Sequence, residues 1–103
     1  MTAIIEQNKE KLTELCRKYQ VSVLEVFGSA ATGDFDEDTS DIDLLVEFRD
    51  GLKGNRFDVF FAFHEELQKL FCKQVDLVEP GGLKNPYFIK RVNETRRRFY
   101  ADS

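Results

Sequence analysis

Three aspartates and one glycine–serine pair carry the chemistry open to this chain. Asp41 and Asp43 flank a single residue in the run Ser40-Asp41-Ile42-Asp43. On an extended strand such a pair shares one face, roughly 6.5–7 Å apart at the backbone. Two short carboxylates at that spacing can converge on one hard cation or bridge two. Magnesium takes oxygen ligands and typically uses one or two carboxylates together with substrate phosphates. Gly28-Ser29 closes the apolar run Val21–Phe27 and opens the small-residue turn Ala30-Ala31-Thr32-Gly33. A glycine there lets bare backbone approach a phosphate, and its neighbouring N–H groups and the Ser29 hydroxyl can hold phosphate oxygens. No GKS or GKT follows, so this is not a P-loop. Asp76 lies between Val75 and Leu77, where an unpaired carboxylate would be costly to bury. If its strand neighbours that of Asp43, the three acids Asp41, Asp43 and Asp76 meet on one face. Three carboxylates allow two metal ions roughly 3.5–4 Å apart, one on an attacking oxygen and one on a leaving group.

The elements that must position these residues follow from periodicity. Residues 4–19 read as a helix with Ile4, Asn8, Leu12, Leu15, Cys16 and Tyr19 on one stripe. Residues 21–27 are β-branched and aromatic and end at glycine, the mark of a buried strand. Residues 42–48 alternate, with Ile42, Leu44, Val46 and Phe48 opposite Asp43, Leu45 and Glu47. Residues 57–72 predict a helix with Phe57, Phe60, Phe61, His64, Leu67 and Phe71 on its apolar stripe. Residues 75–79 form a short strand stopped at Pro80. Asn85-Pro86 starts a last helix, Asn as cap and Pro in the first turn, running through Phe88, Val92, Thr95 and Phe99. The second and third strands, joined through a helix, should be parallel; the first two are expected to be antiparallel. The fold class is α/β, a small mixed sheet flanked by helices.

Composition bounds the function. The 103 residues suffice for one domain, 1–103, and are 42% hydrophobic and 33% charged, as in a soluble globule. A net charge of -4 argues against general nucleic-acid binding, which needs clustered cations. No apolar run approaches the roughly 20 residues of a membrane helix, and MTAIIEQNKEKL lacks a signal peptide's apolar stretch, so a cytoplasmic location is expected. Cys16 and Cys72 have no CxxC or histidine neighbour and read as small buried apolar residues.

Gly28-Ser29, Asp41-Ile42-Asp43 and Val75-Asp76-Leu77-Val78 resemble the signature of the minimal nucleotidyltransferases, small members of the DNA polymerase beta superfamily. The resemblance extends over SDIDLLVEF, the central helix, VDLVEPGGLK and RVNETRRRFY, nearly the whole chain. It implies a palm-like mixed-sheet core, magnesium (two ions), and ATP or another nucleoside triphosphate. The implied reaction is transfer of a nucleotide, AMP in the first instance, to a hydroxyl. It further implies antitoxins of the MntA type paired with an all-helical HEPN partner, with a partner tyrosine as acceptor in some members. By this resemblance Gly28 and Ser29 bind triphosphate, Asp41 and Asp43 bind metal, and Asp76 is the third metal-binding and catalytic acid. Thr32 stands where many members carry an arginine. The loop 30–40 is one residue longer than in common members and carries Asp34, Asp36, Glu37 and Asp38, a stretch that repels a polyanion unless metal or a partner's basic surface offsets it. The competing reading is a binding module that masks a partner protein and keeps a vestigial site. A homo-oligomer stays open.

Other residues have plainer readings. His64 on the aromatic stripe reads as a packing histidine, and the phenylalanines of 57–71 read as core, with Phe63 at the stripe's edge and available to a partner. Arg96-Arg97-Arg98 suit a helix C-terminus, with a triphosphate clamp or an acidic-partner site as alternatives. Arg91 faces away from Phe88 and Val92 and is not expected at the site, and Glu47 lies too far along its strand to be a ligand.

Overall fold

A computed structural model describes residues 2–32 and 41–102. The acidic stretch Asp34, Asp36, Glu37 and Asp38 lies outside the described residues. The sheet has four strands in the order β3-β2-β1-β4. β1 is Val21–Phe27, β2 Ile42–Phe48, β3 Val75–Val78 and β4 Arg97–Ala101. β1 pairs antiparallel with β2 and with β4, and β2 pairs parallel with β3. The mixed sheet and both expected pairings are present.

Alternation divides the sheet into two unequal faces. Leu24, Val26, Ile42, Leu44, Val46, Val75 and Leu77 form the main core with residues of α1 (Ala3–Gln7), α2 (Lys9–Lys18) and α4 (Arg56–Phe71). Phe27 and Leu45 face the other way and meet Val92 of α5 (Pro86–Thr95), with Val78 and Leu83 against them. α5 and α4 begin as their sequences suggest: the Asn85 side chain accepts from the N–H groups of Tyr87 and Phe88, and that of Asn55 from Phe57 and Asp58.

Four expectations are corrected. The N-terminal helix breaks at Asn8, whose amide nitrogen donates to Ile4 O at 2.8 Å; asparagine competes locally with the helix, and the turn buries Ile5 where Ile4 was expected. The last helix stops at Thr95. Arg96 takes φ -58 and ψ 137, and Arg97–Ala101 becomes a strand against β1. On α4 the buried face is Phe63, Leu67 and Phe71; Phe63 is fully buried, whereas Phe57 is 72% and Phe61 61% exposed. Cys16 is buried, its thiol pushed up to about 12 by desolvation, but Cys72 is exposed at the helix end with φ 53. Arg96 caps α5 and pairs with buried Glu25, which, together with the field of Glu47, raises its pKa.

Candidate active site

Parallel pairing of β2 with β3 sets Asp43 directly opposite Asp76, and Asp41 immediately precedes β2. Two of the three acids that the spacing singled out, Asp43 and Asp76, therefore lie side by side where the parallel strands begin, and Asp41 is near enough for its charge to act on Asp43. Asp43 is half-buried, and its pKa is pushed up to about 6. Burial is the largest cause, followed by the hydrogen-bonding Asp76 carboxyl and its charge; Asp41 adds to the repulsion, and the Arg91 guanidinium opposes it. Asp41 and Asp76 are exposed.

On the other side of Asp43 lies the end of β1. Phe27 pairs with Asp43 across the sheet, so the next residue, Gly28, passes close to the carboxylate. A Cβ on Gly28 would sit 2.5 Å from Asp43 Oδ2 and 3.8 Å from an Arg91 guanidinium nitrogen. Gly28 also has φ +68, a conformation that glycine adopts freely and other residues at a cost. Its N–H donates to Thr95 Oγ1 at 2.9 Å, and that hydroxyl donates to Arg91 O at 2.8 Å. Its carbonyl accepts from Ala31 N at 3.1 Å and Thr32 N at 3.3 Å, closing the short helix α3, Ser29–Thr32. Ser29 follows Gly28 directly and opens that short helix.

Sequence reasoning placed Arg91 away from this site, and the structure corrects that. α5 crosses the minor face of the sheet, so Val92 packs inward on Phe27 and Leu45 while Arg91 reaches Asp43 with its field. Thr95, one turn further, anchors Gly28. Neither role is visible before the crossing of α5 is known, because both depend on which sheet face the helix covers. His64 is a packing histidine as read: its Nε2 lies 2.6 Å from Val75 O. A cleft of about 390 Å³ opens beside the acids, lined by Asp43 and Asp76, by Phe60, Phe61 and His64 of α4, and by Phe88.

The donor set consists of hard carboxylate oxygens, with Asp43 and Asp76 crowded together across the parallel strands. A divalent cation would relieve that crowding. Among the described residues no three His, Cys, Asp or Glu side chains already form a metal-binding cluster. The arrangement thus fits an ion that takes one or two protein carboxylates and draws its remaining ligands from water and phosphate, as magnesium does.

Residues 9–99 match the nucleotidyltransferase domain family. Two Methanocaldococcus jannaschii proteins provisionally named as protein adenylyltransferases, MJ0128 and MJ1379, are 40% identical over 94 residues and 35% identical over 91; each match covers 88% of this chain and 86% of the relative. A solved structure of a provisionally named minimal nucleotidyltransferase is 30% identical, with a TM-score of 0.71 and 90% of both chains covered. A toxin–antitoxin structure with AMP-PNP shares the fold at 22% identity and a TM-score of 0.69, covering 92% of this chain and 74% of that one.

Proposed function

The chain belongs to the nucleotidyltransferase domain family, and on that premise we propose that it transfers AMP from ATP, in the presence of magnesium, to a hydroxyl on a protein, a tyrosine of a helical HEPN-type partner being the first acceptor to try. One observation carries this reading: Asp43 and Asp76 are opposed across the parallel strands beside Gly28, whose missing side chain makes room for the Asp43 carboxylate. The names of the relatives support adenylate as the transferred group and protein as the acceptor. Fold neighbours solved as toxin–antitoxin pairs, one of them a tri-AMPylated HEPN toxin from Shewanella oneidensis with its MNT antitoxin, support the partner class.

In this reading Gly28 and Ser29 face the triphosphate, Asp41 and Asp43 would hold magnesium, and Asp76 is the third, catalytic acid beside them. The metal, when bound, neutralises phosphate charge and favours the ionised acceptor oxygen. Arg91 stands near enough to add a fixed positive charge as the phosphates reorganise. The acceptor oxygen attacks the α-phosphorus, and the bond to the bridging oxygen breaks. Pyrophosphate leaves with that electron pair, and the acceptor proton passes to the Asp76 carboxylate. Most of the acceleration then comes from positioning and charge compensation.

Calorimetric titration with a non-hydrolysable ATP analogue and magnesium tests the site. The parent chain should bind, and an Asp41→Asn, Asp43→Asn double variant should lose magnesium-dependent binding; unchanged binding refutes the assignment. A second reading, a module that masks its partner with a vestigial site, is favoured by the exposure of Phe57, Phe61 and Tyr87, which suits a docking face. Co-expression with a candidate partner separates the two. A complex that neutralises the partner equally well with both aspartates replaced, and with no adenylate mass added, favours masking.

A further inference from the structure

β3 is an edge strand, and its free edge is finished on one residue and left open on the next. Ile42 N donates to Gln74 O at 3.1 Å, and the parallel register then turns the backbone groups of Asp76 and Val78 towards β2. Those of Val75 and Leu77 point outward. α4 closes Val75 at both atoms: Gln68 Oε1 accepts its N–H at 3.2 Å, and His64 Nε2 meets its carbonyl at 2.6 Å. Nothing among the described residues pairs with the N–H or C=O of Leu77. Leu77 itself lines the cleft that holds Asp43 and Asp76, together with Phe60, Phe61 and Phe88.

We propose that this open step of β3 is the acceptor subsite: an extended segment of the acceptor protein adds to the edge by pairing one residue with Leu77, and the neighbouring residue presents its hydroxyl to Asp76. The inference rests on the nucleotidyl-transfer reading and adds where and how the acceptor binds. Strand order supplies the direction. Gly28, at the end of β1, and Leu77, on β3, lie on opposite sides of Asp43 on β2. In-line displacement places attacking and leaving groups on opposite sides of the phosphorus, so a pyrophosphate at Gly28-Ser29 requires the acceptor to enter from β3.

Pleating then fixes the side chains. The residue exchanging hydrogen bonds with Leu77 points, like Leu77, to the α4 side, where Phe60 and Phe61 favour an apolar group. The residues before and after it point to the face of Asp43 and Asp76. The segment is therefore a hydroxyl residue with apolar neighbours, recognised mainly through main chain, as in strand addition. The carboxylates that line the groove make an uncharged or cationic segment the better electrostatic match and an acidic one the worse. Docking adds no covalent step to the transfer described above.

The test uses the full chain and the probe peptide acetyl-Lys-Val-Tyr-Val-Lys-amide. Binding of a non-hydrolysable ATP analogue with magnesium, measured first, tests the nucleotide site alone. Hydrogen exchange at the Leu77 amide, with and without the analogue, tests the edge; saturating peptide should slow it at least tenfold. Two methylated peptides then probe the register through adenylate transfer from ATP. Methylating both valine nitrogens should lower kcat/KM about tenfold or more, the loss of a net hydrogen bond with a steric clash added. Methylating the tyrosine nitrogen, which points away from β3, should change it less than threefold. Unaltered Leu77 exchange, or equal effects of the two methylation patterns, overturns the proposal even where the analogue binds. Failure of the analogue to bind, with Leu77 protected, overturns the nucleotide reading instead.

Discussion

Two glycines with nearly the same backbone separate conformational strain from crowding at the site. Gly28 has φ +68 and Gly51 φ +71. An alanine at either position must enter the left-handed region, at a cost of roughly 1–2 kcal/mol, offset in part by the lower entropy of its unfolded chain. Gly51 has nothing within 4 Å of the added Cβ, whereas at Gly28 that carbon would lie 2.5 Å from Asp43 Oδ2 and 3.5 Å from its Cγ. A carbon–oxygen contact that short is about 0.7 Å inside van der Waals distance, so the Asp43 side chain must rotate. An off-rotamer position costs about 0.5–1.5 kcal/mol and draws the carboxylate away from Asp76. Gly51→Ala should therefore destabilise by about 1 kcal/mol, roughly 4–8 °C in Tm for a domain of this size, and leave nucleotide binding intact. Gly28→Ala should lose about 1 kcal/mol more and lower transfer at least a hundredfold, as misplacements near 1 Å do. Thermal melts combined with analogue titration measure both. Repeating Gly28→Ala in an Asp43→Ala background should return its stability cost to the Gly51 value. If Gly28→Ala matches Gly51→Ala in stability and binding, or keeps its excess cost without Asp43, the close approach is not what fixes glycine there.

Asp43 predicts a pH dependence. Its folded pKa lies near 6, above the ordinary 3.8, so between those values the folded state holds a proton that the unfolded chain releases. Metal-free stability should thus be greatest below pH 4 as far as this group is concerned and fall as pH rises through 6, by about 1–3 kcal/mol once partial exposure is allowed for. Magnesium should stabilise more at pH 7 than at pH 5; melts that show the same magnesium increment at both would refute this. Phe63→Ala should cost about 3–5 kcal/mol by emptying a fully buried site, while Phe61→Ala, at 61% exposure, should stay within about 0.5 kcal/mol by denaturant titration. Asp76→Asn removes the charge that crowds Asp43 and leaves an amide able to donate to it. Without metal the melting temperature should rise while adenylate transfer falls by at least a hundredfold, and a drop in melting temperature would count against the crowding.

The parts that were legible in the sequence have a period of their own. Strict alternation in Ile42–Phe48 identifies both faces of β2 before any partner is known, and Asp43 follows from it. The parallel pairing of β2 and β3 follows from the helix between them. α4 is different. Phenylalanines at 57, 60, 61, 63 and 71 satisfy more than one helical phase, and the phase that wins is set by burial of Phe63, Leu67 and Phe71 at four-residue spacing. At the C-terminus Phe99 stands four residues after Thr95 and mimics a continuing helix, yet Arg97–Ala101 is taken by the open edge of β1. Tertiary demand for a fourth strand overrides local spacing there. Arg91 and Thr95 depend on the crossing of α5, which no local pattern encodes.

This division explains how a chain of 103 residues carries a crowded acidic site. Like charges that converge work against folding, so the favourable energy must come from residues that do not share their surroundings. In β2 the alternation supplies that separation within one strand. Ile42, Leu44 and Val46 bury in the main core, and the residue between the first two presents its carboxylate on the opposite face. β3 repeats the device with Val75 and Leu77 inside and Asp76 outside. A substitution in the main core should then unfold the chain without first altering the affinity of the folded fraction for nucleotide, whereas removal of an acid should do the reverse. The separation also fixes where the site can lie. It must sit on the face that α5 covers only in part, at the end where two parallel strands begin and β1 ends. There backbone register alone brings Gly28 and Asp76 to the two sides of Asp43, with Asp41 just ahead of β2, and none of them belongs to the main core that holds the strands together.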